Sequence, residues 1–495
     1  MIFTAATDQL AALAEGELSS VELLEAYAEQ IRCHAWVGAV VSTDFERARA
    51  EAAAADAARA RDLSLGPLHG LPITIKDDVE VAGMRSTYGA SATHDHVPDR
   101  DAEAVRRLRK AGAIIFGRTN LPEYAADGQS YNEVHGTTSN PWDASRTPGG
   151  SSGGSAAALA AGMTSLELGS DMGGSIRLPA SWCGVYGLKP TWGVVPTSGS
   201  VPVPSTPEGA ELHDGDIAVA GPLARDPRDL DLALRVLSDP AAGHAGWRAV
   251  LPPARFKSHR ELRAAVWLDD PSLSPDRATG QVLEQAVAAL AADGVTITSL
   301  RPPLSLERFE QLFETFFMAD LAIGLDDEGY EGMVAQLESL AGSSPLAELH
   351  LRALRLTHRG WLALERARLL ARAAWSEIFE SVDVVLCPAA ITTAIEHDHS
   401  EPIESRTFEL DGVARPHRPT LTRWFAPASL CYLPAAVAPA GLSADALPVG
   451  IQILSAQFRD RDTIAAAGLL AQTLGGFRPP PLSSPATEED HAAVN

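Results

Sequence analysis

Two hydrophobic periods alternate along this chain, one near 3.6 residues and one near 2, and they predict helices interleaved with strands. In SSVELLEAYAEQI, Val21, Leu23, Leu24 and Tyr27 fall on one helical face behind a capping box of Ser19 and Glu22. An Ala-rich stretch over residues 44–62 predicts a second helix. LPITIKDD predicts a short buried strand, with Lys76 just past Ile75. Residues 102–110 predict a helix that Gly112 can stop, and AIIFG, residues 113–117, a strand. Residues 118–152 lose periodicity. They hold Tyr124, Tyr131 and Trp142 without a charge run, the mark of an ordered functional loop.

The alternation resumes after that loop. Residues 153–161 are helix-compatible and SLELGSD, residues 165–171, is strand-like. Asp226 and Pro227 supply N-cap and first-turn chemistry for the helix RDLDLALRVL. Residues 264–297 form a β-α-β pattern of AAVWL, a helix around 282–290, and VTI. Residues 304–380 are mostly helical and gather Phe309, Phe313, Phe316 and Phe317. VDVVL (382–386), AAVA (435–438) and VGIQIL (449–454) predict buried strands. No solenoid period is present, and the mixture predicts a layered α/β architecture.

Composition narrows the function classes. The 495 residues are 45% hydrophobic and 21% charged, ordinary globular usage that excludes wholesale disorder. At about 150 residues per domain the length suggests roughly three domains, though large α/β enzymes often form one body. The net charge of −24 repels phosphate backbones and anionic lipid, so neither nucleic acid nor a membrane is an expected partner. Cys33, Cys183, Cys387 and Cys431 are widely spaced, in apolar sequence, with no CxxC pair, which points to a reducing compartment. The N-terminus lacks a secretory pattern and no apolar run is long enough to span a bilayer, so a cytoplasmic location is expected.

Three stretches carry candidate chemistry. PGGSSGGSAAALAAG (148–162) has the composition of a flexible linker, but it runs straight into an apolar helix, and its glycines permit close ligand approach. In LGSDMGGSIRLPASWCGVYGLKPTWG (168–193), Ser175 follows two glycines directly after a strand, where successive N–H groups can converge on an anion. Asp171, Arg177 and Pro179 surround that turn. Lys76 ends a buried strand. Most such lysines are simply solvated, but a buried one loses its proton readily and becomes a general base.

Together these stretches resemble the amidase signature family. GGSSGGSAAALAAG followed by GSDMGGSIRLPASWCGVYGLKPTWG is similar to its Gly/Ser-rich core, and KDDVEVAGMRSTYGA, NPWDASRTPGGSSGG and LPVGIQIL resemble further blocks. The resemblance is clear over about residues 65–225 and weaker at the ends. It implies a single domain over 1–478, built on one large mixed β-sheet sandwiched by helices, with a substrate-shaping region over about 240–430 and a Pro-rich, acidic tail at 479–495. It implies a Ser–Ser–Lys triad: Ser175 as nucleophile, Ser151 as the bridging serine on a cis peptide bond, and Lys76 as base. The N–H groups of Met172, Gly173, Gly174 and Ser175 would form the oxyanion hole. Ser152, Asp171 and Arg177 would support the core, and Asp127, Gly128 and Gln129 would line the substrate cavity. Asp127 departs from the small or neutral residues usual there, and either recognises a polar or cationic group or caps a turn. Tyr432 stands where the family usually has Gly, which narrows the pocket.

The activity this implies is that of an amidase acting through an acyl-enzyme on a small amide-type substrate, as a monomer or homodimer, with no cofactor and no metal. Aryl amides, carbamates (urethanes) and hydrazides are alternatives, and the Phe cluster hints at an aromatic or apolar substrate. An amidotransferase subunit is a more remote alternative. Gly149 to Gly153 also fits the GxSxG elbow of Ser-His-Asp hydrolases, but NPWDASRTP before it cannot be the required strand. His94, Asp95 and His96, and His397, Asp398 and His399, could ligate a metal, but both trios lie in polar loop-like sequence without HExxH spacing.

Overall fold

The computed structural model describes residues 1–61, 63, 66–199, 215–238 and 250–482. Its centre is an eleven-stranded sheet. The strands are β1 (Val40–Thr43), β2 (Pro72–Lys76), β3 (Ile114–Thr119), β4 (Leu166–Asp171), β5 (Tyr186–Lys189), β6 (Val219–Ala224), β7 (Arg263–Val266), β8 (Thr296–Ser299), β9 (Val384–Pro388), β10 (Ala435–Leu442) and β11 (Pro448–Leu454). Their order is β1-β3-β2-β4-β6-β5-β10-β11-β9-β7-β8. β2 runs parallel to both β3 and β4, while β4–β6, β6–β5, β5–β10 and β10–β11 are antiparallel. The expected mixed sheet between helices is therefore present.

Alternation along the strands divides the side chains between two layers. Ile73 and Ile75 of β2, and Leu166 and Leu168 of β4, enter a large core shared with the helices Ser20–Cys33, Phe45–Arg59 and Asp460–Leu474. The intervening Thr74, Lys76 and Glu167 turn to the opposite face, under the short helix Gly153–Ala160. Ala156 to Ala161 of that segment pack on Leu223 and Val437. The helices Leu306–Leu321 and His358–Ser381 line a second core, in which Phe309, Phe313 and Phe316 are buried and Phe317 is half-buried, and the helices Asp327–Leu340 and Pro345–Leu354 pack around Met318 in a smaller cluster.

Local chemistry explains most boundaries. The Ser19–Glu22 capping box forms in both directions. Asp44, Asp226, Asp276 and Ser305 each accept an N–H at a helix start. Three strands lie outside the expected pattern: β1, β5 and β6. The loop over 118–152 is shorter than expected, because β3 runs on to Thr119, and it contains the small hairpin of Tyr131–Asn132 and Gly136–Thr137. A second hairpin, Thr407–Leu410 with Val413–Pro416, was also not evident in the pattern. Cys33 is exposed rather than in apolar surroundings, and the other three cysteines are buried. Of the expected tail, residues 483–495 lie outside the described residues. Among the described residues no helix is long and apolar enough to cross a membrane.

Candidate active site

β2 and β4 are parallel neighbours, paired Thr74 to Glu167 and Ile75 to Leu168, so Lys76 and Asp171 end their strands at the same edge of the sheet. Chain leaving the carboxyl ends of parallel strands is a common place for a site. Lys76 is completely buried there. Its Nζ lies 2.7 Å from Ser151 Oγ, 2.7 Å from Ser170 Oγ and 2.9 Å from Asp78 Oδ2. Ser170 Oγ in turn donates to Asp78 Oδ2 at 2.6 Å. Burial holds the Lys76 amine below its usual value, and the Asp78 carboxylate opposes that shift without cancelling it.

Ser151 follows a cis peptide bond from Gly150, as the sequence resemblance implies. The 127–129 backbone packs so tightly on Gly150 that a Cβ there would lie 2.7 Å from the Asp127 carbonyl oxygen. Ser130 braces the same loop: its hydroxyl donates to Gly149 O at 3.0 Å and accepts the Gly153 N–H at 3.1 Å. Ser152 N–H donates to the Ser175 carbonyl at 3.0 Å, which ties the two serine loops together, and Ser152 Oγ donates to Ser170 O at 3.2 Å.

Ser175 is half-buried, and its hydroxyl has no hydrogen-bond partner among the described residues. The turn carrying it is shaped by Asp171, whose carboxylate accepts the N–H groups of Gly174 (2.9 Å), Ile176 (3.1 Å) and Arg177 (3.3 Å). Arg177 closes a buried bidentate pair on Asp171 and also reaches Gln452 Oε1 at 2.7 Å and Ser429 Oγ at 2.8 Å. Gly174 has φ +112°, and a Cβ on it would come within 2.2 Å of Phe425, so only glycine fits. The Gly174 N–H is engaged by Asp171, which leaves Met172, Gly173 and Ser175 with N–H groups unpartnered among the described residues.

The 127–129 loop lies against the Gly150–Ser151 bond, but two of its side chains turn elsewhere. Asp127 Oδ2 accepts from Arg406 Nη1 at 2.5 Å; the Arg406 side chain is buried and also donates to the half-buried Tyr131 Oη at 2.6 Å and to the exposed Glu401 at 3.0 Å. The Asp127 carboxylate is therefore engaged within the protein by a cation of its own chain, and no turn N–H bonds it among the described residues. Gln129 exchanges two hydrogen bonds with the Asp398 backbone, at 2.7 and 3.0 Å, so its amide holds the 398–406 segment in place. Gly128 faces His417, Leu178 and Leu421, each 3.7 Å from where a Cβ would lie. Tyr432 adopts φ +61°, stacks on Trp192 at 4.8 Å and hydrogen-bonds Asp216.

Sequence reasoning missed Ser170, left open whether Asp77 or Asp78 pairs with the lysine, and missed the remote Arg406, Gln452 and Ser429. The GSD triplet and the KDD run were the only local signals for the first two. Asp77 instead pairs with Arg118 at 3.2 Å. A second buried lysine, Lys189, is pushed down to about 7 by burial, but it bonds the Pro190 carbonyl and no serine. No group of three or more His, Cys, Asp or Glu placed to hold a metal is found among the described residues.

An amidase family model matches residues 22–464. The chain belongs to the amidase family. A glutamyl-tRNA(Gln) amidotransferase subunit from Synechococcus sp. (strain CC9605) is 34% identical over 466 residues, covering 89% of this chain and 90% of the relative. An indoleacetamide hydrolase from Bradyrhizobium diazoefficiens is 31% identical over 475 residues, covering 95% and 86%. The crystal structure of an amidase matches with a TM-score of 0.79 and 29% identity, covering 95% of this chain and all of that one. Family, relatives and fold identify this amidase as an enzyme acting on non-peptide carbon–nitrogen bonds.

Proposed function

We propose that this amidase hydrolyses a small amide by an acyl-enzyme route in which Lys76, Ser151 and Ser175 relay a proton. The observation that carries it is the set of three partners around Lys76 Nζ. A neutral amine has two N–H donors and one lone pair. Directed at Asp78 and Ser170, the two donors leave the lone pair facing the Ser151 hydroxyl. Ser151 then gives its proton to Lys76 and takes one from Ser175, whose oxygen attacks the acyl carbon. The reverse relay protonates the leaving nitrogen, and water cleaves the ester by the same path.

The developing oxyanion takes the free N–H groups of Met172, Gly173 and Ser175; in comparable sites each lost donor costs about 3 kcal/mol. Asp171 holds the turn in shape by fixing Gly174. A Cβ on Gly173 would lie 3.0 Å from Phe313, so an aromatic wall stands against the oxyanion loop. Phe317 lies behind Phe313, with ring centroids 5.8 Å apart. That wall favours a flat, apolar acyl group, and the indoleacetamide hydrolase among the relatives is consistent with such a substrate. Carbamates and hydrazides of similar shape fit the same chemistry.

The purified chain, with no partner added, is expected to release ammonia or amine from aryl and arylacetyl amides. A fluorophosphonate is expected to label Ser175 and not a Ser175→Ala variant. Ammonia release that requires charged tRNA together with another protein chain would support the amidotransferase reading instead. Labelling undiminished in Ser175→Ala would remove Ser175 as nucleophile.

A further inference from the structure

Glu167 lies on β4, one strand from Lys76 and on the same face of the sheet, under the helix Gly153–Ala160. It is 1% exposed, and neither carboxyl oxygen receives a hydrogen bond of good geometry. The hydroxyls of Thr74, Thr119 and Ser155 face it; Thr119 and Ser155 bond each other at 2.9 Å, and the Thr74 hydroxyl has no other partner among the described residues. Across the sheet on β6 it meets Leu223, which brings no charge. An ionised carboxylate with only hydroxyls around it and no cation in contact is costly in such a place, which favours the protonated acid.

We infer that Glu167 is a positioning residue for the base: buried on the same face of the sheet, opposite Thr74 on the neighbouring strand, its carboxyl acts through space on Lys76 and holds the proton on the lysine when it is ionised. The inference rests on the assignment of Lys76 as base. With one proton between them, two arrangements compete. In the first, Glu167 is a neutral acid and Lys76 a free amine, which can start the relay. In the second, Glu167 is a carboxylate and Lys76 an ammonium, which cannot. The charged groups around the pair are Asp78 after β2, Arg118 on β3 and Asp171 at the end of β4, and the covering helix contributes only Ser155. Burial pushes the Glu167 carboxyl up to about 8, with the hydroxyls around it and Arg118 opposing.

Glu167→Gln keeps the shape and removes the second arrangement. The acid limb of kcat/KM against pH is then expected to move to lower pH by roughly one unit, with activity below the limb raised several-fold. The unfolding midpoint serves as the folding control, and Glu167→Met carries the same expectation should the glutamine variant not fold. Without any variant, isotope-labelled glutamate is expected to show a protonated carboxyl band in the infrared at about pH 6 that is lost at about pH 10. A limb that overlays wild type or moves to higher pH, or absence of that band, overturns the role of Glu167 and leaves Lys76 as base untouched. A wild-type profile with no alkaline rise overturns the assignment of Lys76, and this inference with it.

Discussion

Arg177 grips Asp171 through two hydrogen bonds of 2.9 and 2.8 Å, and the same carboxylate accepts the N–H of Gly174, one residue before Ser175. Both side chains are fully buried. The pair is thus a brace for the turn that carries the nucleophile, assembled within six residues of chain.

Removing one partner leaves the other charge buried and unmatched. Arg177→Met is expected to destabilise the fold by about 3–5 kcal/mol. Asp171→Asn keeps the acceptor contacts to Gly174 and Arg177 Nη2 but loses the charge and sets an NH2 against the Ile176 and Arg177 N–H groups, and is expected to cost less stability while lowering kcat sharply through a loosened turn. Denaturant unfolding together with kcat for both variants checks this. Wild-type kcat in Asp171→Asn would show that the turn holds its shape without the brace.

Phe313 is expected to set the acyl preference. Phe313→Ala removes the wall against Gly173, so KM for aryl and arylacetyl amides rises about tenfold while short aliphatic amides are little affected. The measurement is KM and kcat over a panel of acyl groups. Equal losses across the panel would reduce Phe313 to a packing residue.

Dialysis against a strong chelator is expected to leave activity unchanged, because the relay uses only side chains and backbone dipoles. Loss with recovery on added zinc would point to a metal held by residues outside the proposed relay.

Much of the site was legible because its chemistry is local in sequence. Lys76 ends an apolar run, Ser151 and Ser175 sit in Gly-rich turns, and Asp171 lies four residues before Ser175. What stayed hidden was either remote or masked by composition. Nothing near Asp127 announces Arg406, 279 residues away, and the Gln129–Asp398 exchange spans 269. β6 reads VAGPLA and β5 YGLK, where Gly and Pro argue against strands that antiparallel neighbours nonetheless stabilise. Nothing in SLELGSD marks Glu167 as buried; the helix Gly153–Ala160 covers its face of the sheet and makes it a buried acid.

The proton on Lys76 tests the mechanism most directly. Burial places its value below the ordinary 10.5, and the base works only when neutral. Raising pH through that lowered value increases the working fraction, so kcat/KM of the wild type is expected to climb through it to an alkaline plateau. Lys76→Ala is expected to lose several orders of magnitude in kcat. Lys76→Arg is expected to stay as inactive, since a guanidinium keeps its proton. The deciding measurement is kcat/KM against pH for wild type and Lys76→Arg side by side: an alkaline rise in the first and no detectable turnover in the second is the result predicted, and near-normal turnover in Lys76→Arg would contradict it.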